Sequence, residues 1–338
     1  MVPALAVAGA LRAEGAEVTF IGGERAEAEL VPAAGYPLKK IAVEGMSRTN
    51  PLRAARALLR AGAAVRRARS LLKELTPDAV LGAGGYVAGP VGLAAVTLRI
   101  PLVLSEADSH LGLTNRVLAR AARRVCLAFP LAGREAPRYR VTGRPIPPPQ
   151  EDRAGARARL GLADGELCVL VFGGSLGSRS INMAAFEAFS DAAGPVLHVA
   201  GRRDYPELAA RPRQDRYDLR AYLGGEDFAD ALAAADVVVA RAGGSVFEIA
   251  AHGAPAILVP YPHAAADHQT ANARWMADAG AAVVIPDRDL SAPRLLREVV
   301  ALLDDRPRRA AMARASKGLA RPDAAREIAG ELLEAAAT

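Results

Sequence analysis

A chain of 338 residues is long enough to form about two domains, each with its own hydrophobic core. Hydrophobic residues make up 51% of it and aromatic residues only 4%, which indicates an α/β protein and excludes a disordered one. The formal net charge of +6 suits phosphate-bearing or membrane-surface partners, and a GC-rich genome that favours Arg and Ala codons would give the same balance.

The two cysteines and the apolar runs exclude further classes. Cys126 and Cys168 lie in apolar stretches and are expected to be reduced core residues. No Cys/His spacing typical of a zinc site is present. No apolar run reaches the ~18 residues that span a bilayer, and the first residues lack a basic signal-peptide region, so a cytoplasmic protein is predicted.

The first half begins with a helix. Residues Val2–Ala13 show helical periodicity, and Glu17–Ile21 follows as a strand. A doubly wound sheet normally opens with a strand and a glycine-rich turn before its first helix. The sequence therefore predicts that a first strand and its loop are missing, with Met1 an internal methionine; the alternative is a variant domain that starts with a helix.

A basic segment follows the strand predicted around Leu38–Val43. Residues Asn50–Leu75 are helical in composition and interleave arginines with leucines. Such a helix can lie on an anionic membrane surface. The alternative is an ordinary helix with a solvated basic face and an apolar stripe toward the core.

Two polar motifs follow predicted strands of the first half. Residues Gly82–Pro90 contain four glycines and are expected to turn tightly before a helix over Val91–Leu98. The strand Pro101–Leu104 ends at Glu106 and Asp108, which are candidates for base chemistry or hydroxyl binding. Asp108 would alternatively cap the next helix.

Proline residues mark the domain boundary. The stretch Gly143–Pro149 holds four prolines within five residues, which excludes a helix or an inner strand and indicates a stiff linker. The predicted organisation is a first domain over residues 1–142, a linker over 143–150, a second domain over 151–320 and a C-terminal helix over 321–338 that packs on the first domain.

The second half contains a complete α/β unit. A buried strand over Leu167–Phe172 leads into the glycine-rich turn Gly173–Ser178 and then a helix over Ser180–Phe189. Backbone N–H groups at such a turn bind phosphate. The motif is not a Walker loop, because no Gly-Lys-Ser/Thr follows it.

A second turn of the same kind lies further on. The buried strand Val237–Val239 is followed by Arg241–Ser245 and by a helix that carries Glu248 about one turn in, where a carboxylate can take two sugar hydroxyls. The loop Asp267–Gln269 follows the next strand at the same edge of the sheet. These features predict a nucleotide-sugar site; the alternative is a solvated βαβ connection without a ligand.

Several of these segments match a known family. The most specific are GGYVAGP at Gly84–Pro90 and PYPHAAADHQTANA at Pro260–Ala273. Further matches are Pro3–Ala8, Gly112–Asn115, Gly173–Ser175 and Asp236–Glu248. Over essentially its whole length the chain resembles the MurG family of bacterial N-acetylglucosaminyltransferases.

The resemblance implies a GT-B fold, in which two Rossmann-like domains with parallel sheets face a central cleft. It implies an inverting hexosyl transfer from UDP-N-acetylglucosamine to the muramyl hydroxyl of lipid I, which gives lipid II in peptidoglycan synthesis. No metal, cofactor or nucleic acid is expected to take part. The enzyme is expected on the cytoplasmic face of the cell membrane, with the basic Asn50–Leu75 segment toward the lipid.

The resemblance also assigns roles to residues. On the second half the resemblance assigns Gly174 and Ser175, the latter to phosphate or ribose, Ser245 to the diphosphate, Glu248 to the ribose hydroxyls, and His268 and Gln269 to the donor sugar. Gly243, Gly244 and Asn272 are further donor-binding candidates in the same segment. On the acceptor side the expected loop histidine is absent, so Glu106 becomes the first catalytic candidate, with Tyr86 and Asn115 as neighbours. Asp108 and Arg144 are further candidates for substrate binding.

This sequence departs from the family's pattern at three places. Ser105–Asp108 stands where His-Glu-Gln-Asn is usual, Pro147 stands where an arginine is usual, with Arg144 the candidate to replace it, and the Ala242–Ser245 turn is one residue short. Two other functions stay open: a catalytically impaired UDP-sugar-binding protein, if Met1 is the true start, and another GT-B enzyme such as a lipid glycosyltransferase or a UDP-sugar epimerase.

Overall fold

The computed structural model describes residues 1–24, 26–42, 51–174, 177–191 and 194–337. The chain forms two compact units: unit 1 comprises Met1–Ile146 with Asp323–Thr338, and unit 2 comprises Pro147–Pro322. Each described strand pairing in both units is parallel. Parallel neighbours require crossover connections, and helices supply them in both units.

Unit 1 contains two separate parallel sheets. The smaller sheet pairs two strands, β1 (Phe20–Gly22) and β2 (Leu38–Lys40). The larger has four strands in the order β3 (Val80–Gly82), β4 (Leu102–Glu106), β5 (Arg124–Leu127) and β6 (Tyr139–Val141). The described helices of unit 1 are α1 (Val2–Ala13), α2 (Ala26–Ala33), α3 (Pro51–Leu75), α4 (Gly85–Leu98), α5 (Leu113–Leu118) and, from the end of the chain, α14 (Ala324–Ala336).

The larger sheet of unit 1 is covered on both faces. Side chains alternate along a strand, so Leu102 and Leu104 of β4 face a core shared with α3 and α4, whereas Val103 faces α1 and α14. The C-terminal helix α14 therefore completes the core of unit 1. Glu331 of α14, only 5% exposed, forms ion pairs with Arg124 at 2.6 Å and Arg140 at 2.5 Å.

Unit 2 contains one six-stranded sheet with the order β12-β11-β10-β7-β8-β9. The strands are β7 (Val169–Phe172), β8 (Val196–Val199), β9 (Tyr217–Arg220), β10 (Val237–Ala240), β11 (Ala256–Leu258) and β12 (Ala282–Val284). Successive strands run outward from β7 to one side and from β10 to the other. The strand order thus reverses between β7 and β10, which is where open α/β sheets bind ligands.

Helices of unit 2 connect these strands. They are α6 (Arg153–Arg159), α7 (Arg179–Phe189), α8 (Tyr205–Ala209), α9 (Gly225–Ala234), α10 (Val246–His252), α11 (His268–Asp278), α12 (Ala292–Asp304) and α13 (Arg306–Gly318), with short 3₁₀ turns at Ala265–Asp267 and Asp287–Asp289. All four residues of β7 and of β10 are buried. Their uninterrupted apolar runs fit strands covered on both faces.

The structure corrects three local predictions. Helix α4 begins at Gly85 and so includes most of the glycine run, because only Gly84 and Gly85 adopt the positive φ of a turn. Helix α5 has Gly112 at its N-cap position, so the capping role considered for Asp108 is wrong. Helix α11 begins at His268, which places this residue and its neighbour in a helical turn and not in a loop.

Helix α3 separates its apolar and basic side chains onto two faces beyond residue 61. Its apolar side chains Ala64, Ala68 and Leu71 are buried in the core of unit 1. The basic side chains Arg66, Arg67, Arg69 and Lys73 are exposed. In this half of the helix the apolar stripe therefore faces the protein. Within the described part of the chain, none of the helices combines the length and the hydrophobicity needed to cross a bilayer.

Candidate functional site

Three turns lie at the carboxyl edge of the unit 2 sheet, on neighbouring strands. The first follows β7 and leads into α7, the second follows β10 and leads into α10, and the third follows β11 and leads into α11. Parallel strands present their carboxyl ends at one edge, so the three turns share it. This edge includes the point where the strand order reverses.

The first turn needs glycine at two positions for steric reasons. A Cβ on Gly173 would lie 2.3 Å from the backbone nitrogen of Ser178, and one on Gly177 would lie 2.2 Å from the carbonyl oxygen of Ala200. The turn therefore packs backbone against backbone, and Gly174 follows with a φ of +90°. Ser175, the predicted phosphate or ribose ligand, lies outside the described residues.

The second turn offers three consecutive donors. Among the described residues, the backbone N–H groups of Gly243, Gly244 and Ser245 have no hydrogen-bond acceptor, whereas the carbonyls of Gly243 and Gly244 accept from the first turn of α10. Glu248 lies in that helical turn and is half-buried. Successive backbone N–H groups of this kind form a concave site for an anion.

The third turn brings Gln269 and Asn272 to the second. Gln269 Oε1 accepts from the N–H of Tyr261 at 2.9 Å, and its Nε2 lies 3.9 Å from the Cβ position of Gly243. Asn272 is 2% exposed, and its Nδ2 donates to the carbonyl of Ala242 at 3.0 Å. The predicted residue Asn272 thus lies beneath the turn and holds it.

His268 opens α11 next to a strained connection. Its Nδ1 bonds the carbonyl oxygen of Ala265 at 2.8 Å. Ala266 and Asp267 both adopt the left-handed conformation, with φ of 52° and 53°. Each such residue costs about 1–3 kcal/mol when it is not glycine, and strain of this kind concentrates at functional sites. The side chains of His268 and Gln269 are therefore held at the edge of the sheet.

Sequence reasoning missed a charged cluster behind the second turn. Arg241 directly follows β10 and is 8% exposed, and its side chain pairs with Asp287 at 2.6 Å and donates to Ser180 at 2.8 Å. The only signal in the sequence is a charged residue immediately after four apolar strand residues. Asp287 and Ser180 are remote in sequence, so their part is visible only in the folded unit.

Sequence reasoning also missed a buried polar network behind the first turn. His198 on β8 bonds the hydroxyl of Tyr217 at 2.6 Å and the side-chain oxygen of Asn182 at 3.1 Å. Asn182 in turn donates to the carbonyl of Ala200 at 2.7 Å, the same oxygen against which Gly177 packs. Burial lowers the pKa of His198 to about 4, because the charged ring would be desolvated.

Unit 1 places Glu106 and Asn115 together at the end of β4. Glu106 is 7% exposed, and its carboxylate accepts from the N–H of Gly112 at 2.8 Å, from Asn115 Nδ2 at 2.9 Å and from the N–H of Asp108 at 3.2 Å. Asn115 Oδ1 is buried, and no hydrogen-bond donor reaches it among the described residues. Glu106 thus organises the loop that leads to α5.

The remaining predicted residues of unit 1 differ in exposure. Tyr86 is 62% exposed in the first turn of α4. Asp108 and Arg144 are half-buried. Burial lowers the pKa of the Met1 amino group most, and the positive charge of Arg144 lowers it further. The described residues contain no group of three or more His, Cys, Asp or Glu side chains that could hold a metal ion.

Comparison with known proteins gives a consistent result. The family model of the glycosyltransferase family 28 N-terminal domain matches residues 1–127, and that of the glycosyltransferase family 28 C-terminal domain matches residues 168–328. The UDP-N-acetylglucosamine–N-acetylmuramyl-(pentapeptide) pyrophosphoryl-undecaprenol N-acetylglucosamine transferase of Moorella thermoacetica is 42% identical over 351 residues, which cover 98% of this chain and 95% of the relative. The protein of the same name from Methylococcus capsulatus is 43% identical, covering 99% and 95%.

A solved structure agrees with these relatives. The crystal structure of Acinetobacter baumannii MurG is 32% identical, with a TM-score of 0.81, and covers 98% of this chain and 95% of that one. This likeness confirms the GT-B fold of two Rossmann-like domains with parallel sheets. The chain belongs to glycosyltransferase family 28 and, within it, to the MurG family of N-acetylglucosamine transferases.

Proposed function

We propose that this chain transfers N-acetylglucosamine from UDP-N-acetylglucosamine to lipid I, undecaprenyl-pyrophosphoryl-muramyl-pentapeptide, and so forms lipid II. The observation that carries the proposal is the gathering of three polar turns at the strand-order reversal of unit 2. That arrangement suits a nucleotide diphosphate with an attached sugar. The names of the relatives support the choice of donor and acceptor.

Donor binding is assigned to unit 2. The N–H groups of Gly243, Gly244 and Ser245 donate hydrogen bonds to the diphosphate, and the Glu248 carboxylate accepts hydrogen bonds from the two ribose hydroxyls. Gln269 and His268 reach the transferred sugar from the start of α11. Gly174 and Ser175 of the first turn contribute to phosphate or ribose binding. Asn272 acts through Ala242 and keeps the second turn in place.

The reaction breaks the bond between C1 of the sugar and the UDP oxygen. The muramyl 4-hydroxyl oxygen forms a new bond to C1 from the opposite face, so the configuration inverts, and its proton passes to a base. The departing diphosphate gains negative charge as the bond breaks. Preorganised backbone N–H groups at the second turn stabilise that charge without reorganisation.

Acceptor binding is assigned to unit 1. The hydrogen bonds to Glu106 support a positioning role, in which its carboxylate orders the loop and the side chain of Asn115. The assignment of Glu106 as the base stays a prediction. Tyr86, Asp108 and Arg144 remain the proposed contacts to the acceptor.

The location follows from the acceptor and from α3. Lipid I carries its polyprenyl chain in the membrane, so the enzyme works at the cytoplasmic membrane surface as a peripheral protein. The exposed basic side chains of α3 beyond residue 61 support contact with anionic lipid. Nucleic acid is not among the proposed partners.

Glu248 provides the test of donor binding. Removing two hydrogen bonds to a carboxylate in Glu248→Ala should weaken UDP binding about 100-fold or more, or roughly 3 kcal/mol. The exposed Glu187 in the last turn of α7 provides the control Glu187→Ala, which should leave the Kd unchanged. Calorimetry with UDP measures both. Equal affinities for the wild type and Glu248→Ala would contradict the assigned role.

Product analysis separates the alternative functions. The purified chain is incubated with UDP-N-acetylglucosamine and with lipid I, diacylglycerol or no acceptor. Lipid II formation is the expected result. Binding of UDP without any transfer would instead indicate an impaired UDP-sugar-binding protein. Transfer to diacylglycerol or epimerised donor would indicate one of the other GT-B activities.

A further inference from the structure

Arg241 stands where an arginine would be expected to bind phosphate. It follows β10 directly and lies two residues before Gly243, the first of the three residues whose N–H groups have no acceptor among the described residues. A guanidinium there matches a diphosphate in charge and geometry. Its surroundings in this chain point to another use.

The guanidinium of Arg241 is occupied by the protein itself. Its Nη1 donates to the carbonyl oxygens of Val259 and Pro260, both at 3.1 Å, and lies 2.6 Å from Asp287 Oδ1. Its Nη2 donates to Ser180 Oγ at 2.8 Å. The side chain is only 10% exposed. Three acceptors thus face Nη1 and one faces Nη2, and all four belong to unit 2.

Asp287 and Ser180 close the cluster. The Ser180 hydroxyl donates to Asp287 Oδ1 at 2.7 Å, so all three side chains contact one another. Ser180 lies in the first turn of α7, and Asp287 lies on the 3₁₀ turn that follows β12. With the two carbonyls after β11, Arg241 therefore ties the second turn to three other elements of the carboxyl edge.

We propose that Arg241 is a positioning residue, which Asp287 and Ser180 lock behind the second turn, and that it is not a ligand of the donor diphosphate. The paired charges of Arg241 and Asp287 cancel, so affinity for the diphosphate comes from the backbone N–H groups that the cluster holds in place. The inference rests on the proposed donor site and defines the role of Arg241 within it.

The sign of one measurement decides the question. If Arg241 bound the diphosphate, Asp287→Asn would remove a competing negative charge and tighten UDP binding. If Arg241 positions the turn, the same change loosens it and raises the Kd for UDP about tenfold, or ~1.4 kcal/mol. Calorimetric titration of the full chain with UDP distinguishes the two. Tighter or unchanged binding overturns the proposal.

A matched control lies two residues away. Asp289 occupies the same 3₁₀ turn, is 40% exposed and has its arginine neighbours at 3.8 and 3.9 Å. Asp289→Asn makes the same charge change without touching Arg241 and should leave the Kd within about twofold. An equal effect of both variants would show a general charge effect and overturn the proposal.

A double-mutant cycle adds a readout that tolerates some loss of stability. Arg241→Gln should weaken UDP binding in the wild type but change it less than about twofold in Asp287→Asn, because the two side chains act as one unit. A diphosphate ligand would lose its full contribution in both backgrounds. If Asp287→Asn does not fold, Ser180→Ala replaces it, with an expected increase of about threefold in Kd.

The outcomes separate this inference from the proposed function. A wild-type chain that fails to bind UDP overturns the proposed donor site itself. A wild-type chain that binds UDP, combined with tighter binding by Asp287→Asn, overturns only the positioning role of Arg241.

Discussion

Both units place polar groups at the carboxyl ends of parallel strands, but these groups differ in whether the protein itself satisfies their hydrogen bonds. In unit 1, Glu106 at the end of β4 is buried and accepts three hydrogen bonds from its own loop and from Asn115. In unit 2, three N–H groups after β10 have no acceptor among the described residues. The end of a parallel strand therefore collects polar groups, and the following loop decides whether they are left for a ligand.

The units also differ in how their cores are completed. Unit 1 takes α14 from the end of the chain, with Glu331 buried between Arg124 and Arg140. Unit 2 is continuous in sequence and contains the buried hydrogen-bond network of His198. The stability of unit 1 can thus be lowered through Glu331, and that of unit 2 through His198.

Breaking the α14 contact should have the largest effect. Glu331→Ala leaves Arg124 partly buried without its main partner, and loss of one member of a buried pair destabilises by about 3–5 kcal/mol. Urea unfolding should show this loss in unit 1, whereas the Kd for UDP, a property assigned to unit 2, should stay unchanged. An unaltered unfolding curve would contradict the role of Glu331.

The neighbouring Glu334 provides the control for that experiment. It contacts Arg124 at 3.3 Å but is 56% exposed. Exposed ion pairs contribute at most about 1 kcal/mol, so Glu334→Ala should shift the unfolding midpoint little. Equal effects of the two variants would mean that burial is not what makes Glu331 important.

Lowering the pH should weaken unit 2 through His198. The pKa of this residue falls from an ordinary 6.5 to about 4 in the fold, so the folded state favours the neutral ring. Its contribution is fully present above pH 6.5 and is lost as the pH falls toward 4, a loss of roughly 3 kcal/mol. The free energy of unfolding, measured in urea at pH 7, 6, 5 and 4, should decrease accordingly.

A histidine replacement tests the origin of this pH dependence. His198→Gln should flatten the upper part of this profile, apart from the part due to His252, whose pKa burial also lowers. Toward pH 4, carboxylates such as Asp204 and Asp230, whose pKa values are lowered by hydrogen bonds from arginines, add a loss that this variant keeps. The exposed His263 provides the control His263→Gln, which should keep the full dependence. A profile of wild-type steepness in His198→Gln would exclude His198 as its source.

The basic face of α3 should give the smallest effect. Arg66→Gln with Arg67→Gln should weaken binding to phosphatidylglycerol vesicles by about 1 kcal/mol per charge, and added salt should reduce the difference. The exposed pair Arg306 and Arg308 of α13 provides a control with the same loss of charge. Co-sedimentation measures both, and equal losses would exclude a specific role for α3.

The sequence alone was enough to predict the alternation of strands and helices, because buried strands such as Val237–Ala240 are uninterrupted apolar runs and glycine turns follow them. It also placed Gly243–Ser245, Glu248 and Gln269 at one edge, since parallel strands share their direction. Its predicted helix boundaries were less accurate: the helical start at His268 follows a left-handed pair that no residue preference signals.

Tertiary structure decided which polar groups are already in use. Glu106 and Asn272 have the same polar character in the sequence as Glu248, but their hydrogen bonds to a loop and a turn become visible only when distant segments meet. The same holds for Arg241, whose partner Asp287 lies on another strand connection. Sequence periodicity reports burial along one element, whereas pairing of charges depends on contacts between elements.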